Sequence, residues 1–285
     1  MIAITGATGQ LGHLVINILL KTIPPDQIIA AVRNPDKASE LAAQGVIVRL
    51  ADYNRPETLE AAFVGVDKLL LISSSEVGQR EKQHKAVIQA AKKSGVGLIA
   101  YTSLLHADTS PLGLGVEHRA TEAALKDSGI PYVLLRNGWY TENYAASTAS
   151  ALAHGAFIGA AGEGRIASAP RKDYAEAATV VLQLDDQAGK VYELAGDSSY
   201  SLAEFAAEIS KQSGKNVNYV NLSEADFAKA LKDAGLPAGL TEMLADSDAG
   251  AEKGALFDDS HTLRHLIGRT TTPYADVIKA TLATL

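Results

Sequence analysis

Three glycines at three-residue intervals near the N-terminus restrict this chain more than any other feature in it. The apolar run Ile2 to Thr5 leads into Gly6-Ala7-Thr8-Gly9-Gln10-Leu11-Gly12, and a second, largely apolar run, Leu14 to Leu20, follows at helical length. Strand, glycine turn and helix in that order make the βα opening of a dinucleotide-binding fold. Gly6 lets the chain leave the strand sharply, Gly9 removes a Cβ where backbone must approach a pyrophosphate, and Gly12 lets the helix lie close to the sheet. The helix N-terminus then turns its free amides and positive dipole end toward the phosphates. Residues Gly6, Ala7, Thr8, Gly9, Gln10, Leu11 and Gly12 are the expected pyrophosphate site.

The first half of the chain repeats the alternation. Strand-like runs at Ile2–Thr5, Ile28–Val32, Val46–Leu50, Leu69–Ile72, Leu98–Thr102 and Tyr132–Leu135 are separated by helical patterns near 11–21, 35–43, 56–63, 79–94 and 118–128. Parallel strands need crossovers and have both faces covered, so this pattern predicts an α/β fold with a Rossmann-type, doubly wound parallel sheet. After Asn137 the alternation breaks down. Asp173 is a candidate cap for a helix over 174–184, Val191–Leu194 reads as a strand, and Ser201-Leu202-Ala203-Glu204 has capping-box spacing. A strand near Val217–Val220 and helices near 223–234 and 275–284 complete a smaller mixed α/β lobe, while Asp246 to Gly254 reads as a polar loop. The expected division is a dinucleotide-binding domain over 1–136 and a substrate lobe over 137–285, with room for the lobe to return elements to the sheet.

Composition removes several function classes. A net charge of −7 offers no basic field for nucleic acid or an anionic membrane. No uncharged apolar stretch reaches the ~18 residues of a membrane span, and the chain reads as cytoplasmic. The absence of cysteine excludes disulfides, thiolate catalysis and thiolate metal sites, and the seven histidines lack metal-ligand spacing. Redox chemistry must come from a borrowed cofactor. Nothing in the sequence specifies an oligomeric state.

The end of the second strand discriminates between the two nicotinamide dinucleotides. An acid there binds the adenosine ribose hydroxyls, whereas a cation takes the extra 2′-phosphate. The strand runs into Arg33-Asn34, with Lys37 one helical turn on and no acid beside it. Arg33 offers a planar fork suited to phosphate, which favours NADPH; the competing reading is a solvated surface arginine. Asp52, past the third strand, fits an acceptor for the adenine amino group and equally a turn former before Asn54-Arg55-Pro56. Ser73, Ser74 and Ser75, past the fourth strand, place small hydroxyls where backbone would run beside the cofactor.

Further segments carry a family resemblance. With the glycine triplet and Arg33, the strand end Tyr101-Thr102-Ser103, the segment Glu117-His118-Arg119-Ala120-Thr121-Glu122 leading to Gly129-Ile130-Pro131-Tyr132, the run Arg136 to Asn143 and Arg171-Lys172-Asp173-Tyr174-Ala175 resemble the NmrA-like, atypical branch of the short-chain dehydrogenase/reductase superfamily. The likeness is nearest to the bacterial members of that branch that reduce quinones with NADPH. It implies that Gly138, Trp139, Tyr140, Thr141, Glu142 and Asn143 close over the nicotinamide, with the aromatics as a wall for a flat substrate.

The chain also departs from the superfamily pattern of Ser, Tyr and Lys. Ser103 keeps the serine place, but the tyrosine place holds Leu114 and the lysine place His118. Leucine donates no proton, which argues against an ordinary ketone reductase. A quinone is more electrophilic, so positioning supplies most of the catalysis, with His118 the candidate for polarising or protonating its carbonyl. The rival reading, also implied by the resemblance, is a non-catalytic NADP(H) sensor.

Overall fold

A computed structural model describes all 285 residues. The chain forms two compact units. The first comprises Met1–Ala107, Val116–Asn137 and Arg171–Tyr192, and the second Asp108–Gly115, Gly138–Pro170 and Glu193–Leu285. The division expected at 136/137 falls at the end of a strand, and two segments lie on the other side of it. Residues 171–192 belong to the first unit because their helix packs on the helix after the glycine turn.

The first unit is built on strands β1 (Ile2–Thr5), β2 (Ile28–Val32), β3 (Ile47–Leu50), β4 (Lys68–Leu71), β5 (Leu98–Leu104) and β6 (Tyr132–Asn137). Helices α1 (Gln10–Leu19), α2 (Ser39–Ala43), α3 (Pro56–Ala62), α4 (Arg80–Lys93) and α5 (Gly113–Ser128) connect them. Strands β1 to β6 pair in parallel, and the sheet is completed by β8 (Val191–Leu194) in the order β3-β2-β1-β4-β5-β6-β8. Every residue of β2 and β5 is buried, as strands covered on both faces must be, and β5 carries Thr102 and Ser103 as buried polar residues at its carboxyl end. Phe63, Leu69, Ile99, Tyr101 and Leu125 belong to one core cluster. The strand order reverses at β1 and β4, and ligands of such sheets bind beyond the carboxyl ends of the strands at that point. Gly6 and Ser73 follow those ends.

Helix α5 starts five residues before the expected 118, with Leu114 and His118 one turn apart on it. Asp173 lies inside the first turn of α8 (Arg171–Gln183) rather than at its cap. The second unit holds α6 (Thr141–Ala145), α7 (Thr148–His154), β7 (Ala156–Gly159), α9 (Leu202–Ser213), β9 (Asn218–Asn221), α10 (Glu224–Asp233), α11 (Ala238–Glu252), α12 (Thr262–Ile267) and α13 (Tyr274–Leu282). The Ser201 to Glu204 capping box is present at α9, with both reciprocal hydrogen bonds formed.

Most of the segment 246–254 expected to be a loop is helical. Its polar residues have specific partners: Asp248 accepts from Tyr144 Oη at 2.8 Å and from the Ala160 amide at 2.9 Å, and Asp246 accepts from the Gly113 amide at 2.9 Å. Its small residues permit close packing, since a Cβ on Gly250 would lie 2.1 Å from Leu112 Cδ2. Burial pushes the Asp248 carboxyl up to about 6, against the lowering effect of its two donors. No helix is long and apolar enough to cross a membrane.

Candidate cofactor and substrate site

The glycine turn has the geometry its sequence implies. Gly6 has φ +60°, in the left-handed region, and its carbonyl accepts from the Gly9 amide at 2.9 Å. A Cβ on Gly9 would approach that carbonyl oxygen to 3.1 Å, and one on Gly12 would reach it at 2.5 Å. The N-terminus of α1 has no side-chain cap and no acid in its first turn. Its amide donors and partial positive charge therefore remain for an anion, which is what a pyrophosphate requires.

Arg33 is not a lone cation. Its Nη1 donates to Glu76 Oε1 at 2.6 Å, while the other Glu76 oxygen accepts from the buried Gln83 amide at 2.7 Å. Glu76 lies beyond β4, so no pattern around β2 could reveal it. A 2′-phosphate at Arg33 must displace this carboxylate or share the guanidinium with it.

Asp52 accepts from the Asn54 amide at 2.9 Å, a local turn contact that occupies Oδ1. This is the turn-forming geometry, and it uses one carboxylate oxygen of the two. The serine loop is held by its surroundings: the Ser73 amide donates to Thr102 Oγ1, the Ser74 amide to His84 Nε2, and Ser74 Oγ accepts from the Glu76 amide. The Ser75 carbonyl accepts from Val77.

Ser103 donates to Glu122 Oε1 at 2.5 Å, and Arg136 grips the same carboxylate through Nε and Nη2 at 3.0 and 2.7 Å. The serine proton is thus committed to a nearly buried ion pair between α5 and β6. Ser103 holds the sheet to its helix here. It is not a spare donor for a substrate.

Beside it lies a buried cluster of two histidines and a tyrosine. His84 Nε2 accepts from the Ser74 amide at 2.9 Å, so its proton is on Nδ1 and donates to Thr121 Oγ1 at 2.9 Å; Thr121 passes its own proton to the Glu117 carbonyl. Tyr101 Oη lies 2.7 Å from His118 Nδ1. Burial, with the Arg80 guanidinium second, pulls both imidazoles down to about 3, and His84 adds to the effect at His118. Burial raises the Tyr101 phenol. Both rings are therefore neutral at neutral pH. His118 can polarise a carbonyl through an N–H, but it does not supply an imidazolium proton.

In the second unit the Gly138 amide donates to the Leu194 carbonyl at 2.7 Å, and Thr141 donates its amide to the Ala169 carbonyl and shares a buried hydroxyl contact with Ser168 at 2.8 Å. Trp139 is buried against Tyr144, with ring centroids 6.3 Å apart, so it packs in that unit's core. Tyr140, Glu142 and Asn143 are half-buried.

A model of the NAD(P)H-binding family matches residues 6–185. The chain belongs to that family. It is 66% identical to quinone oxidoreductase 2 of Escherichia coli (strain K12) over 278 residues, covering 98% of this chain and 97% of that protein. The solved structure of the NADPH-dependent quinone oxidoreductase of E. coli complexed with NADPH superimposes with a TM-score of 0.97 at 65% identity, over 99% of this chain and all of that one. The triphenylmethane reductase of Citrobacter sp. complexed with NADP(H) superimposes at 0.94, with 40% identity over 99% of this chain and all of that one. The likeness to NmrA-like oxidoreductases expected from the sequence is present as well, at 27% identity over 98% of the chain to one from Aspergillus flavus.

Proposed function

We propose that this chain reduces quinones by direct hydride transfer from NADPH, without flavin or metal. The observation that carries the reading is the end-to-end similarity to quinone oxidoreductase 2, in a chain whose glycine turn is built for a pyrophosphate. NADPH supplies a hydride from C4 of its nicotinamide when bound. The quinone takes that hydride with its electron pair to become a hydroquinone monoanion, which takes one proton from solvent.

The chain's residues bind and orient. Residues 6–12 hold the pyrophosphate, Arg33 the 2′-phosphate, Asp52 Oδ2 accepts from the adenine amino group, and the backbone of Ser73, Ser74 and Ser75 flanks the ribose. Gly138, Tyr140, Thr141, Glu142 and Asn143 serve the nicotinamide end, and Trp139 packs in the core of their unit. His118 stabilises the oxygen on which charge develops by donating a hydrogen bond from its neutral ring. Leu114 withholds the phenol an unactivated ketone requires. The cofactor is regenerated in the cytoplasm, and the reading places the protein there.

Single-turnover NADPH oxidation with a panel of quinones tests this. A primary isotope effect with C4-deuterated NADPH, and negligible turnover of simple ketones, is the expected result. Tight NADPH binding with no oxidation across the panel would assign the chain to cofactor sensing instead. The cofactor preference has its own test in calorimetry. Arg33→Ala is expected to weaken NADPH about tenfold and leave NADH unchanged, a discount from a full charge-assisted pair because the side chain is exposed. Glu76→Gln removes the competing carboxylate and should tighten NADPH; equal affinities for both dinucleotides in the parent protein would refute the assignment of Arg33.

A further inference from the structure

The phenol missing at position 114 has a counterpart on β5. Tyr101 is fully buried, and its Oη is hydrogen-bonded to His118 Nδ1 at 2.7 Å. The direction of that bond follows from the neighbouring protons. The Ser74 amide occupies His84 Nε2, which places the His84 proton on Nδ1; that proton goes to Thr121, and the Thr121 proton goes to the Glu117 carbonyl. Thr121 has no proton left for Tyr101, and Ser73 Oγ, the other hydroxyl facing the phenol, makes no hydrogen bond. A phenol that only accepted from His118 would leave its own O–H buried and unpaired, a larger penalty than any gained by reversing the bond. Tyr101 therefore donates and Nδ1 accepts. The His118 proton is then on Nε2, the ring nitrogen that no hydrogen bond of the chain uses.

We propose that Tyr101 is a positioning residue for quinone reduction: by donating to His118 Nδ1 it fixes the neutral Nε2–H tautomer and presents that N–H as an oriented donor to the quinone oxygen. The proposal rests on the role given to His118 above. Without the phenol the ring is free to place its proton on either nitrogen, and the Nδ1–H form offers the substrate a lone pair where it needs a donor. Packing also belongs to Tyr101, whose ring lies 5.5 Å from that of His84 and 5.8 Å from that of His118. Phenylalanine keeps those contacts and removes only the hydroxyl.

Nitrogen-15 spectra of histidine-labelled full-length protein, with and without NADPH, read the tautomer directly. The parent protein is expected to show His118 protonated at Nε2 alone, and Tyr101→Phe a mixture of both forms. In kinetics Tyr101→Phe should lower kcat by on the order of tenfold while the quinone KM and the NADPH affinity hold. His118→Gln carries an amide donor whose direction needs no phenol, so adding Tyr101→Phe in that background should change kcat little. An Nδ1–H tautomer in the parent protein would overturn the proposal. So would an equal loss on Tyr101→Phe in both backgrounds, or an unchanged kcat in His118→Ala. Failure of the broader reading looks different: the parent protein would leave every quinone unreduced whatever its spectrum.

Discussion

Gly12→Ala is expected to abolish NADPH binding and to destabilise the protein by on the order of 3 kcal/mol, lowering Tm by roughly 6–10 °C. The methyl would sit 2.5 Å from the Gly6 carbonyl oxygen, 2.8 Å from Ala7 Cα and 2.9 Å from the Gly6 carbonyl carbon. All three are backbone atoms, so no side chain can swing aside and α1 must lift from the turn. Gly9→Val provides the comparison. Its Cβ meets one atom, at 3.1 Å, so the fold should survive while the added methyls occupy the space of the pyrophosphate. Thermal melts and calorimetry on both variants separate the packing role of one glycine from the ligand role of the other. A Gly12→Ala protein that melts like the parent and binds NADPH would show that the turn adapts.

Acid should unfold the protein through its buried histidines. The folded pKa values of His84 and His118, about 3, lie below the ordinary value of 6.5, so the unfolded chain binds more protons as the pH falls. Their contribution is complete above pH 6.5 and is lost progressively toward pH 3. Between pH 7.5 and 5 each withdraws about 2 kcal/mol of stability, while Asp248, whose pKa is displaced upward, returns about 1 kcal/mol over the same range. The expected net loss is about 3 kcal/mol. Urea unfolding across this range measures it, and His84→Gln with His118→Gln should abolish the loss and leave only the gain of about 1 kcal/mol from Asp248. A parent protein equally stable at pH 5 and 7.5 would mean that these rings are not held neutral. The same low pKa predicts that kcat shows no histidine titration above pH 5.

The boundaries of β1, β2 and β8 agree with the sequence reading to the residue, those of β3, β4, β5, β6 and β9 differ by one to two residues, and β7 was not read as a strand. Their legibility comes from burial on both faces, which leaves an unbroken apolar run bounded by turn residues. Helix α11 was illegible for the complementary reason. Its polarity reads as solvent exposure, yet Asp246 and Asp248 are tied to Gly113, Tyr144 and Ala160, partners that lie 88 to 133 residues away in sequence.

The site divides along the same line. Residues 6–12 are legible because a glycine turn is local: backbone conformation and missing Cβ atoms act within seven consecutive positions. His118 was legible as a candidate through the family resemblance, at the superfamily's lysine place. Its charge and its tautomer were not, because the first depends on burial, Arg80 and His84 and the second on Tyr101 from another element. Glu76 was invisible beside Arg33 for lack of any sequence proximity, and Ser103 looked available although its proton goes to Glu122, itself clamped by Arg136. The sequence by itself determined the alternation of strand and helix at the opening and the dinucleotide turn, since each follows from residue type and short spacing, and the family resemblance marked the missing phenol at 114. Only the tertiary structure decided which carboxylate faces Arg33 and which proton each buried ring carries, because hydrogen-bond direction and desolvation are set by neighbours that chain distance does not reveal.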